Sequence, residues 1–151
     1  MLAAIASDPG LCPNSNFEGR VFQLRARPSS LSELSLRALR LECLGAHPAT
    51  VKTRSERSVL CSLLTVASHG GANGEARSNA FGRLLAWRSF TALVGLPEGA
   101  ALGEVAARAA ETQWLSFEST SPWFSRVSLD LGVVALRPDN SVAVLATTDS
   151  Q

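Results

Sequence analysis

The residues with the most reactive chemistry in this chain are three cysteines, Cys12, Cys43 and Cys61, and two histidines, His47 and His69. Cys61 and His69 are near one another in sequence, and a thiolate with an imidazole base is a nucleophilic pair. Cys61 lies within, and His69 just beyond, an apolar run, Val59 to Ala67, that closes on glycines and reads as a central strand buried on both faces. Along such a strand eight residues span about 26 Å at ~3.3 Å per residue, far beyond hydrogen-bond reach. Cys61 is therefore assigned to the core. His69 would stand at the carboxyl end of the strand, where open sheets place ligand sites. Behind it, Gly70, Gly71 and Asn73 lead to a helix start at Ser78. Backbone N–H groups converge at such a start, so His69, Gly70, Gly71, Asn73 and Ser78 form a candidate anion site. His69 is the only catalytic candidate, and the GxSxG elbow that esterases pair with such a loop is absent.

Metal chemistry fares no better. Cys43 and His47, extended by Cys61 and His69, would give four zinc ligands, but intervals of three, thirteen and seven residues match no zinc module. No metal and no cofactor is predicted. Basic residues gather in the first half (Arg20, Arg25, Arg27, Arg37, Arg40, Lys52, Arg54 and Arg57), yet Glu18, Glu33, Glu42 and Glu56 are interspersed. Nucleic-acid binding needs a clustered basic surface, so a mixed solvated face is the better reading.

Aromatic residues give the stronger clue. Trp114, Phe117, Trp123 and Phe124 fall within eleven residues, and a helix predicted over Asn79 to Val94 is apolar nearly all round. A helix of that kind is buried on every side or covered by a partner. Tryptophan is enriched at the energetic centres of interfaces. Trp87, Phe90, Trp114, Trp123 and Phe124 are accordingly predicted to form an interface with a protein partner or a second copy. The function expected is that of a non-catalytic interaction or structural subunit, with a small enzyme or anion-binding protein using the His-Gly-Gly loop as the alternative.

The elements that must position these groups follow from pattern. With 151 residues, 46% hydrophobic and 18% charged, the chain has the material for one core. Residues 1–18, rich in turn formers, read as an irregular arm, and 19–151 as a single domain. Gly19 to Arg27 reads as a short edge strand. Ser30 and Glu33 make a capping box for a helix over about Leu31 to Leu44, although the leucines there come close to alternating. Val51 to Arg57 reads as a polar connector, Ala100 to Phe117 as an amphipathic helix, and Glu118 to Ser125 as a polar loop.

The clearest supersecondary signal is a C-terminal hairpin. Val127, Leu129, Leu131 and Val133 alternate with polar or small residues, Arg137 to Ser141 make the turn, and Val142, Val144 and Leu145 return. The sum is an α+β two-layer sandwich, mostly antiparallel, with about three helices. The opening MLAAIASDPG has no basic n-region, no stretch reaches the ~18 apolar residues of a membrane span, and the cysteines form no paired framework. An intracellular, cytoplasmic, soluble protein is the expectation.

Overall fold

A computed structural model describes residues 15–29, 35–69, 79–126 and 129–149. Its elements are β1 (Ser15–Gln23), a 3-10 turn (Leu36–Leu39), β2 (Ala49–Arg54), α1 (Glu56–His69), α2 (Asn79–Val94), α3 (Leu102–Glu111), β3 (Gln113–Ser119), β4 (Leu131–Leu136) and β5 (Ser141–Asp149). The five strands form one open sheet in the order β1-β5-β4-β3-β2, antiparallel at every neighbouring pair. The fold is therefore α+β, with three α-helices among the described residues, as the sequence pattern predicts.

The sheet is covered on both faces. Side chains of β4 point alternately to opposite faces. Val133 and Ala135 join the cluster built with Val59, Leu63, Phe90, Leu93 and Val105 of the helices. Val134 and Leu136 join the other cluster, with Leu36, Leu41, Cys43, Leu44, Phe117 and Phe124. So the helices form one layer, and an irregular segment running from Leu36 to Leu44 seals the opposite face.

The strand buried on both sides is thus the end hairpin, with Leu131–Leu136 buried throughout, and not Val59 to Ala67. That run is helix α1. At helical spacing Val59 and Leu63 enter the core while Cys61 and Thr65 stay exposed. A start signal was present in the sequence: Ser55 Oγ accepts the Ser58 N–H at 3.2 Å, an N-cap bond. A short apolar run cannot by periodicity alone distinguish a buried strand from a helix.

Three other expectations change. The described part of 31–44 is not an α-helix, and Ser30 and Leu31–Leu34 lie outside the described residues. The 3-10 turn stops at Arg40, whose φ is +49°, and the chain then bends through Gly45. Buried Glu18 of β1 explains the irregular course, since its carboxylate accepts the Glu42 N–H at 2.9 Å and the Cys43 N–H at 2.7 Å. A side chain here supplies the acceptors that a helix would draw from its own carbonyls. Val51–Arg54 belongs to edge strand β2, whose central residues are exposed and so carry no apolar alternation. Helix α3 ends at Glu111, and Trp114, Leu115 and Phe117 are strand. The Trp114 indole N–H donates to Ala109 O at 3.1 Å and pins that helix end to the strand.

The edge strand expected over Gly19 to Arg27 is found four residues earlier, as β1 beside β5. Helix α2 has the predicted bounds. The hairpin turn has Asn140 at φ +62°, and β4 starts at Leu131, with Val127 and Ser128 outside the described residues.

Candidate functional site

The sheet divides the aromatic residues predicted to form one surface. Phe90 and Trp114 stack on the helix side, with ring centroids 5.3 Å apart and planes 6° from parallel. Trp123 and Phe124 meet edge to face at 4.9 Å and pack against the opposite cluster. Phe90, Trp114 and Phe124 are buried within a single copy of the chain, and Trp87 and Trp123 are partly so. Five residues on two faces do not present one interface. What α2 keeps outward is a different set. Phe81 and Leu84 are 37% and 43% exposed, and Ala80, Arg83 and Arg88 accompany them. With 3.6 residues per turn, Leu84 lies opposite the core-facing Gly82, Ala86, Ser89 and Leu93. Phe81 and Trp87 flank Leu84 at three residues on either side. Composition alone could not reveal this ridge, because α2 is apolar in every direction and only its packing against α1 and the sheet defines its outer side.

His69 closes helix α1, so the argument from a strand's carboxyl end does not apply to it. Gly70, Gly71, Asn73 and Ser78 lie outside the described residues. In a helix, Cys61 and His69 are separated by a rise of about 12 Å, again too far to act together. Cys43 and Cys61 lie on opposite sides of the sheet, the first buried and the second exposed on α1. Burial, reinforced by the neighbouring Glu18 carboxylate, pushes the Cys43 thiol far above its ordinary range, so it is no nucleophile. No group of three or more potential metal ligands occurs among the described residues. Nor is any described helix long and apolar enough to cross a membrane.

Two further polar constructions were not legible in the sequence. At one end of the sheet, Arg137 at the close of β4 is buried and reaches the C-terminus of α2. Its Nε donates to Leu93 O at 2.8 Å, one Nη to Ala92 O at 2.7 Å and the other to Ser141 Oγ at 3.2 Å. Burial lowers the Arg137 pKa, partly countered by Asp139. Asp139 is in turn held below its ordinary value by hydrogen bonds from the Ser141 hydroxyl and N–H. This construction is structural: a cation closes the negative end of a helix dipole.

At the other end of the sheet, where β2 begins, β3 ends and β4 begins, a cleft of about 510 Å³ opens. Phe117 and Phe124 supply apolar wall, Thr50 and Thr120 hydroxyl groups, and Arg126 the sole cationic side chain of the lining. Arg126 has a left-handed backbone, φ +55°, and its N–H donates to Asp130 Oδ2 at 3.0 Å. Asp130 Oδ1 accepts the hydroxyl of buried Thr148, and Thr148 Oγ1 accepts the Ser125 N–H at 2.8 Å.

Residues 11–151 match a protein family described as a family of unknown function (DUF6183). No curated protein and no solved structure matches the chain.

Proposed function

We propose, for a chain that belongs to the DUF6183 family, a non-catalytic role in which it acts as an interaction subunit and pairs with a second copy of itself through the outer ridge of α2. The observation that carries this reading is the exposure of Leu84, at 43%, on a helix whose opposite side, with Ala86 and Leu93, is buried in the core. Helix α2 holds no acidic residue, so its outer side has little to keep it in water beyond Arg83 and Arg88, the latter paired with Glu98.

A second copy suits the ridge because its pattern is self-complementary. In an antiparallel two-fold contact centred on Leu84, Phe81 of one copy falls opposite Trp87 of the other, and small Ala80 opposite long Arg88. The ridge then places aromatic against aromatic on both sides of a leucine pair, an arrangement typical of an interface centre.

Sedimentation equilibrium tests this directly. The wild-type mass should rise from 15.9 kDa towards twice that value as concentration increases to about 200 µM, a range that captures contacts of −5 kcal/mol or stronger. Leu84→Glu should stay monomeric with an unchanged unfolding temperature. A wild type that is monomeric throughout, or a Leu84→Glu protein that dimerises equally well, would sink the proposal.

A further inference from the structure

We propose that the cleft at the β3 end of the sheet binds a small organic acid, with its carboxylate on the Arg126 guanidinium and an apolar body against Phe117 and Phe124. The volume of about 510 Å³ lies within the range of small-molecule sites. Six of its nine lining residues are polar or charged, and Phe117 and Phe124 supply the aromatic wall.

Charge decides the class of ligand. Among the described residues no carboxylate comes within ion-pair distance of Arg126. The two acids of the lining are occupied elsewhere. Glu118 is 77% exposed at the rim and faces Lys52 at 3.6 Å. Asp130 spends one oxygen on the Arg126 N–H and the other on the Thr148 hydroxyl. An arginine fork that lines a cleft without a partner matches a planar carboxylate, which it can bind through two parallel N–H bonds. The remaining charge of Asp130 opposes an anion and limits affinity, so the body of the ligand must add contact with the aromatic wall.

The cleft is also built in advance. A non-glycine residue in the left-handed region is uncommon, and such positions gather at binding sites where surrounding structure holds them. Here the hold is the bond to Asp130, itself fixed by Thr148, which is 1% exposed and strapped to Ser125. The chain from Thr148 to Arg126 therefore sets the backbone from which the guanidinium projects. None of these residues belongs to the α2 ridge, so this proposal stands or falls apart from self-association.

The experiment is a titration of isotope-labelled protein with 3-phenylpropionate, its neutral analogue 3-phenylpropan-1-ol and acetate, following the amides of Ser119, Thr120 and Arg126. The acid should bind with a dissociation constant of ~1 mM or tighter, as a ligand this small attains at ordinary efficiency. It should bind at least tenfold more tightly than either the alcohol or acetate. Arg126→Gln should weaken the acid about tenfold, the worth of one charged hydrogen bond, and Arg126→Lys should restore part of the loss. Glu118→Gln should strengthen it, by about twofold, as a rim anion is removed. No shift of cleft amides at 10 mM acid, equal binding of the alcohol, or indifference to Arg126→Gln in a protein of unchanged unfolding temperature would each overturn the assignment.

Discussion

Replacing Arg137 by methionine should destabilise the protein by about 3 kcal/mol. The figure comes from two opposing effects. Arg137 makes charge-assisted bonds to the carbonyls of Leu93 and Ala92 at 2.8 and 2.7 Å. Such bonds contribute about 1.5–3 kcal/mol each, so their loss costs ~3–6 kcal/mol and strands two acceptors at a buried helix end. Methionine fills similar volume and relieves the chain of burying a cation, which offsets part of that cost. Among the described residues Arg137 faces no carboxylate at ion-pair distance, and the carbonyl end of α2 and Asp139 balance it. Helix capping must therefore outweigh desolvation for this arginine to be stabilising at all. Gly95, at φ +83°, adds to the fit, because a Cβ there would come within 3.0 Å of the guanidinium. Urea unfolding followed by tryptophan fluorescence measures the effect. With a slope near ~2 kcal/mol/M, a 3 kcal/mol loss lowers the midpoint by about 1.5 M. Arg137→Lys keeps the charge but not the planar fork and should lose roughly half as much. An Arg137→Met protein within about 0.5 kcal/mol of wild type would refute the reasoning, since surface substitutions alone vary that much.

Two predictions concern the opposite face of the sheet. Gly132→Ala would place a Cβ 2.6 Å from Phe117 O and 2.8 Å from its ring, and should cost about 2–3 kcal/mol in the same urea assay, because the obstructing oxygen belongs to the backbone. In a Cys12→Ser background, a thiol reagent at neutral pH should modify only Cys61 in the folded protein and both remaining cysteines after unfolding. The sign of the accompanying pH effect is fixed. The unfolded chain ionises Cys43 near its ordinary value of 9.0 and the folded chain does not. That contribution is intact below pH 9 and is lost as pH rises above it, so Cys43→Ala should flatten the alkaline fall in stability.

Much of the fold was legible where local signals and tertiary demand agree. Helix α2 and the hairpin turn are specified by their own residues: propensity and length for one, Pro138 and a left-handed Asn140 for the other. Edge strand β2 was not legible, since VKTR carries no alternation and becomes a strand only because β3 offers it hydrogen bonds. Val59 to Ala67 failed for the opposite reason, an apolar run compatible with either period. The segment Leu36 to Leu44 has helix-forming residues, yet Glu18, more than twenty positions earlier, claims its N–H groups.

The candidate sites separate in the same way. Exposed aromatic surface was expected from residue types, but type does not say which side of a sheet a ring enters. Phe90 and Trp114 went to one core and Phe124 to the other. Arg126, Asp130 and Thr148 carried no signal, because the bonds joining them exist only once β5 lies beside β4.

What the sequence by itself determined is therefore the α+β class, the single stretch of α2 and the closing hairpin, because each follows from contacts between near neighbours in the chain. Which apolar faces are covered, which ridge of α2 remains outward, and which arginines find partners were decided by the tertiary structure. Those outcomes depend on pairs of residues far apart in sequence, and burial of one member is defined only when the other is in place.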